Sequence, residues 1–200
     1  MRLGAAALEH TLAYRLWQAP FADKKLAPLF AHNDLRAVRR VLDVGCGPGT
    51  NTRHFGHADY VGVDINPRYI AYAQRRYGRE FLVADVTAGP DLGARFDCVL
   101  VNSFLHHVDD AEAHRVLRHL APLLTPDGHL HALELVRPVG RSVARLLARL
   151  DRGAHARPLG AWRALLTTHF EPVVFEPYRL GALGMTLWHM VYFKGRARTR

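Results

Sequence analysis

The sequence predicts an α/β domain: a seven-stranded, mostly parallel sheet with helices on both faces and an antiparallel C-terminal strand. Three observations predict it. Five short apolar runs recur between residues 41 and 136, and helical patterns separate most of them. The first run, "VLDV", breaks directly into "GCGPG". Two further strand-like runs, "PVVFEPYRL" and "MTLWHMVYFKG", follow with a short link, the pattern of a hairpin.

In chain order, residues 5–17 and 22–31 read as short helices split at Pro20, with Pro28 inside or ending the second. "VLDV" (41–44), "YVGVD" (60–64), "FLVAD" (ending at Asp85), "FDCVLVN" (96–102) and "GHLHALELV" (128–136) read as strands. "NPRYIAYAQRRYG" reads as a helix with Asn66 as its cap, Pro67 in the first turn and Gly78 as its stop. "DDAEAHRVLRHLAPLL" follows, with Val116, Leu117, Leu120 and Leu124 at helical spacing. "RSVARLLARLD" and "LGAWRALLTTHF" read as two more helices before the final strand pair.

Two hundred residues suit one domain with a sizeable core. No charge-free apolar stretch approaches the ~18 residues of a membrane span, and Glu9 and His10 interrupt the N-terminal apolar patch, so neither a transmembrane helix nor a signal peptide is expected. Cys46 and Cys98 lie in or beside apolar runs and read as buried thiols of a reducing cytoplasm. No metal-ligand spacing stands out among the 13 histidines. The net charge of +9 is uneven: residues 137–200 carry twelve lysines and arginines against three acids, whereas residues 1–136 balance. That points to an anionic partner for the last third, or to a solvated basic face.

The glycine loop limits the ligand. Gly45-Cys46-Gly47-Pro48-Gly49 is tighter than the dinucleotide pattern G-x-G-x-x-G, Pro48 offers no N–H to a phosphate, and no Lys-Ser/Thr pair follows. Asp64 ends the second strand 19 residues after Gly45, the interval at which a carboxylate accepts from ribose hydroxyls. Asp43 and Asp85 end two other strands on the same edge. Acids around an open glycine backbone suit a cationic nucleoside without phosphates.

"VLDVGCGPGT", "YVGVDINP", "VADV", "FDCVLVNSFLHHV" and "LLTPDGHLHALEL" closely resemble, in order and spacing, the successive motifs of class I S-adenosylmethionine-dependent methyltransferases. "LHH" and "LTPDG" are most similar to those of the ubiquinone/menaquinone-type small-molecule branch. The resemblance implies a Rossmann-like fold and S-adenosyl-L-methionine as cofactor, with S-adenosyl-L-homocysteine as product. It implies that Gly45, Cys46 (by its backbone), Gly47 and Gly49 hold the methionine part, and that Asp43 acts through that loop or on the cofactor's amino group. Asp64 would take the ribose hydroxyls and Ile65 the adenine face. Asp85 and Val86 would meet the adenine amino group and ring, and Asn102 would border the methionine and the transferred methyl. Within one methyltransferase domain the expected parts are a helical lid (1–36), the cofactor core (37–136), substrate-wall helices (137–171) and a strand pair (172–195).

The cofactor carries its own leaving group, so the protein has mainly to align the acceptor in line with the sulfonium methyl. If a proton must be removed, His107 is a candidate base, and Glu134, at the end of the fifth strand, is another. An acid buried there needs a partner, either substrate or an arginine. His106 reads as an acceptor contact or a structural histidine. Tyr14 shares a helix face with Trp17 and is a candidate on the lid, while Lys24 or Lys25 would meet the cofactor's carboxylate or only dock the helix. Arg141, Arg145, Arg149 and Arg152 stack on one face of a basic amphipathic helix, and Arg157 follows. Such a stripe would meet a phosphate-bearing or otherwise anionic acceptor, lie against an anionic membrane surface, or face solvent.

The function expected is therefore methyl transfer to a small-molecule or lipid-like acceptor in the cytoplasm or at its membrane surface. The alternatives are an RNA or protein methyltransferase and a non-catalytic cofactor-binding subunit. Nucleic acid is disfavoured because "NSFLHH" stands where an N/D-P-P-Y/F tetrapeptide would, and no stacking module is visible.

Overall fold

The computed structural model describes residues 21–140, 144–145, 154–182 and 185–198. Their elements are α1 (Ala22–Ala31), β1 (Arg40–Val44), β2 (Asp59–Asp64), α2 (Pro67–Tyr77), β3 (Glu80–Val83), β4 (Phe96–Asn102), α3 (Asp110–Leu120), β5 (Leu124–Val136), α4 (Leu159–His169), β6 (Phe170–Ala182) and β7 (Met185–Ala197), joined in several places by short 3-10 turns. The expected helix at 5–17, with Tyr14, lies outside the described residues. So does most of "RSVARLLARLD", of which Ala144 and Arg145 are described, both helical.

The seven strands form one sheet in the order β3-β2-β1-β4-β5-β7-β6. β7 alone runs against the others, antiparallel to both β5 and β6. The central strands read as unbroken apolar runs because both faces are covered: in β1 the residues from Val41 to Val44 are all buried. On one face Leu26 and Leu29 of α1 and Ile70 and Ala73 of α2 pack on Val41, Cys98, Leu100, Leu133 and Tyr192. On the other, Val116, Leu117 and Leu120 of α3 and Trp162, Leu165 and Leu166 of α4 pack on Leu42, Val99, Val101, Leu130 and Ala132.

Local chemistry sets the helix ends. Asn66 accepts from the Arg68 N–H, Pro67 opens α2, and Gly78 closes it in the left-handed conformation. Asp109 and Glu112 form a reciprocal capping box at the start of α3. Pro28 stands inside α1 rather than ending it. β5 begins four residues before the expected "GHLHALELV", since Leu124 already pairs with Phe96 and a register shift absorbs the intervening turn residues. β6 tolerates Pro172 and Pro177 because it is the outer edge strand. Among the described residues no helix is long and apolar enough to cross a membrane.

Candidate active site

The carboxyl ends of β1, β2 and β4 converge on the glycine loop. Gly45, Gly47 and Gly49 all adopt positive φ, which side-chain-bearing residues rarely do. Their surroundings differ. A Cβ on Gly45 would stand 2.6 Å from the Phe104 ring, whereas one on Gly47 would meet nothing within 4 Å. Gly45 therefore lets the turn after β4 pack down, while Gly47 leaves its backbone open. Cys46 donates its N–H to the Val63 carbonyl at 3.0 Å; burial holds its thiol far above the usual range, hence neutral.

Asp64 ties the loop to β2. Its carboxylate accepts from the Gly47 N–H at 2.9 Å and from the Asn66 N–H at 2.8 Å. Ile65 beside it is 67% exposed, an apolar side chain free to cover a flat ring. Asp85 Oδ1 takes both bonds from Thr87, backbone and hydroxyl, and these hold its carboxyl below the usual carboxylate range. The Val86 side chain is buried in the α3 side of the core, so what this residue offers the crevice is its backbone.

Asp43 lies behind the loop, fully buried. The Tyr60 hydroxyl and Asn51 Nδ2, the latter at 3.0 Å, donate to its carboxylate. Burial pushes its pKa up to about 6 against the lowering effect of these bonds. The buried position leaves Asp43 an indirect role, through its bond with Asn51. Asn51 Oδ1 in turn accepts from Asn102 Nδ2 at 3.2 Å. Asn102 Oδ1 is buried and has no hydrogen-bond partner among the described residues. The sequence reading missed Asn51 and Tyr60; nothing local marks them as partners of Asp43.

The turn after β4 carries the two adjacent histidines. It starts at Ser103, whose φ of 57° is the positive value of a non-glycine residue among those described. Glu134 Oε1 accepts from the Phe104 and Leu105 N–H groups at 3.1 and 2.8 Å, and Oε2 lies 2.7 Å from His106 Nδ1. Arg157 donates to the Leu105 and Val108 carbonyls at 2.8 and 3.0 Å and to Asp110 at 2.7 Å, with its guanidinium over the Trp162 ring.

Three expectations are corrected here. Glu134 is fully buried, and among the described residues it is bonded by His106 and two backbone N–H groups rather than by an arginine, which places it to hold the turn. Arg157 is 6% exposed and spends its donors on the protein, so it is not a wall of a substrate site. His106 is buried with its ring on Glu134, which makes it structural rather than a substrate contact. His107 is exposed, its ring centroid 4.3 Å from that of His106.

Of the arginine stripe, Arg141, Arg149 and Arg152 lie outside the described residues, and Arg145 Nη1 donates to the Gly140 carbonyl at 3.2 Å. Lys24 stands on α1. It lines an open cavity of about 500 Å³ with Arg179 and Leu180 of β6, four strands away from β1 in the sheet. Among the described residues no group of three or more His, Cys, Asp or Glu side chains is placed to hold a metal ion.

The donor set fits S-adenosylmethionine. Gly47 leaves room for close approach, Ile65 offers an apolar face, Asp85 keeps Oδ2 outside its Thr87 bonds, and Asn102 Oδ1 is a buried acceptor in want of a donor.

Comparisons with known proteins agree. Residues 41–128 match the model of a methyltransferase domain family. An uncharacterized methyltransferase of Mycobacterium tuberculosis is 32% identical over 68% of this chain and 69% of its own. A ubiquinone biosynthesis O-methyltransferase of Xanthomonas oryzae pv. oryzae is 33% identical over 84% of this chain and 82% of its own. In fold, the N-methyltransferase NodS of Bradyrhizobium japonicum, solved with S-adenosyl-L-homocysteine, superposes with a TM-score of 0.65 at 19% identity, covering 82% of this chain and 80% of its own. The plantazolicin methyltransferase BpumL, also solved with that product, reaches a TM-score of 0.71 at 16% identity over 94% and 90%. On its sequence relatives, its domain match and the loop just described, the chain belongs to the class I S-adenosylmethionine-dependent methyltransferases.

Proposed function

We propose that the chain methylates a heteroatom of a small, anionic molecule seated against the Ser103–Val108 turn. The observation that carries this reading is the turn itself. It holds His107 exposed beside the end of β4, while Glu134 and Arg157 hold its backbone from within the fold. A surface made rigid by the protein's own bonds positions an acceptor without first having to be ordered.

When bound, the cofactor supplies an electrophilic methyl on a sulfonium. The chain's residues do the rest. Gly45, Gly47 and Gly49 shape the backbone against the methionine part, Asp64 accepts from the ribose hydroxyls, Ile65 covers adenine, and Asp85 accepts from its amino group. Asn102 borders the methionine part. His107 takes the acceptor's proton where the acceptor is a hydroxyl or an ammonium, and the turn sets the acceptor in line.

The relatives' names support a small acceptor: a ubiquinone biosynthesis intermediate for one and trans-aconitate for another. The second is itself a polyanion, and the excess of cations in residues 137–200 supports the anionic character. The test is incubation with methyl-labelled cofactor and a fractionated extract of the source cell. Label in acidic small metabolites is expected. Label confined to RNA or protein would overturn the reading, and label in lipid together with sedimentation on anionic vesicles would move it to a membrane-surface acceptor.

A further inference from the structure

A polar chain behind the glycine loop links β1, the turn after the loop and the end of β4. Its direction is forced from one end. The ionised Asp43 carboxylate only accepts, so the Tyr60 hydroxyl and Asn51 Nδ2 must donate to it. With its nitrogen committed, Asn51 turns Oδ1 to Asn102, which answers with Nδ2. Asn102 is left with its accepting end, and that oxygen is buried without a partner among the described residues.

We infer that Asp43 is a positioning residue: through Asn51 it fixes the Asn102 amide so that an acceptor oxygen, not an NH2 donor, is presented to the ammonium-bearing part of the cofactor. The inference rests on the placement of Asn102 beside the methionine part proposed above. A buried acceptor with no donor is unfavourable, and a cationic N–H relieves it with a charge-assisted bond. A reversed chain would set two donors against each other at the same point.

Among the described residues the titratable groups that act on Asp43 are Tyr60 and Asp64 on β2, Cys46 in the loop and Cys98 on β4. Burial keeps the Tyr60 phenol and both thiols neutral, and Asp64 adds only negative charge. The carboxyl accordingly titrates at about 6. Once protonated it becomes a donor itself, Asn51 is free to turn its oxygen inward, and the chain loses its imposed direction.

The test uses the full chain and two ligands in calorimetry between about pH 5 and 8, across the Asp43 transition. S-adenosyl-L-homocysteine carries the ammonium; 5′-methylthioadenosine keeps the nucleoside and thioether but lacks it. The affinity for the first is expected to fall about tenfold below pH 6 while that for the second stays flat. Asp43→Asn keeps the shape but can present an NH2 to Asn51 as well as an oxygen, so the direction of the chain is no longer imposed. It is expected to lose at least about tenfold for S-adenosyl-L-homocysteine and nothing for methylthioadenosine. Adding Asn102→Asp to Asp43→Asn restores an acceptor at the far end, and S-adenosyl-L-homocysteine affinity returns to within about threefold of the parent. A flat pH profile for both ligands overturns the inference. So does equal loss of both in Asp43→Asn, or a double variant no better than the single one. Failure of the parent chain to bind either ligand would overturn the cofactor placement as well.

Discussion

Glu134 and Arg157 hold the same residue from opposite ends of its peptide groups: Glu134 Oε1 accepts the Leu105 N–H at 2.8 Å, and Arg157 Nη1 donates to the Leu105 carbonyl at 2.8 Å. Both side chains are buried, so neither bond is in competition with bulk water. The turn between them carries His106 and His107 and packs Phe104 on the glycine loop. The turn after β4 and, through Phe104, the glycine loop are thus braced by one pair of side chains.

Arg157→Ala leaves the Leu105 and Val108 carbonyls and the Trp162 face without their cation. Each buried unsatisfied group costs about 1–3 kcal/mol, so a loss of roughly 3 kcal/mol in unfolding free energy is expected by chemical denaturation. Arg157→Lys recovers little, because one ammonium cannot span the forked set of carbonyls. Stability unchanged within about 0.5 kcal/mol would show that solvent replaces these bonds.

The two glycines nearest the crevice should separate folding from binding. Gly45→Ala drives a methyl into the Phe104 ring as well as straining a φ of 66°, so a clear fall in melting temperature is expected. Gly47→Ala meets no atom and bears only the positive φ, a cost of about 1–2 kcal/mol. It should stay folded yet bind S-adenosyl-L-homocysteine at least about tenfold more weakly, because the methyl fills the space over the open backbone. Equal melting points for the two variants would contradict the packing of Gly45 on Phe104.

His107→Gln removes the exposed imidazole, which packs on the His106 ring, and leaves both partners of the Glu134–His106 bond in place. Methyl transfer to an acceptor that must lose a proton is expected to fall about 10²–10⁴-fold, with S-adenosyl-L-homocysteine affinity unchanged by calorimetry. Full turnover in the variant would remove His107 as the base.

Stability should also depend on pH through His131, which stands buried beside the Tyr192 hydroxyl at 2.9 Å. Desolvation first, then His129 and Lys194, hold its pKa down at about 3. Between that value and the ordinary 6.5 the unfolded chain binds the proton and the folded chain does not. Its contribution is therefore full above pH 6.5 and lost as the pH falls towards 3. The Asp43 carboxyl, raised to about 6, acts oppositely: it favours the folded state below its unfolded value of 3.8 and ceases to as the pH rises through 6. His131→Gln should therefore narrow the gap in unfolding free energy between pH 7 and pH 5 by about 1–2 kcal/mol. An unchanged gap would mean that His131 is solvated in the folded chain.

Most of the fold, and the strand-end residues around the glycine loop, were legible in the order of residues. Alternation of apolar runs with capped helical patterns makes a parallel sheet, and the residue that ends each such strand must lie at the shared carboxyl edge. Asp64, Asp85 and Asn102 could be placed there without any knowledge of packing, because each position follows from its own strand. Val86, one residue further on, could not: whether its side chain turns to the crevice or the core depends on α3.

The acceptor half was not legible in this way. Arg157 follows the basic stripe of residues 141–152 in sequence, but it lies past that segment, where the chain returns to the end of β5. Its carbonyl accepts the Arg137 N–H there, and its guanidinium turns into the protein. Glu134 meets His106 across 28 residues of sequence, and Arg157 meets Leu105 across 52. The sequence by itself determined which polar groups lie near the crevice, since strand ends and glycine turns are local properties. Only the tertiary structure decided which of them are already consumed, because burial and the geometry of bonds between distant segments leave Glu134, His106 and Arg157 bonded to the protein and His107 exposed.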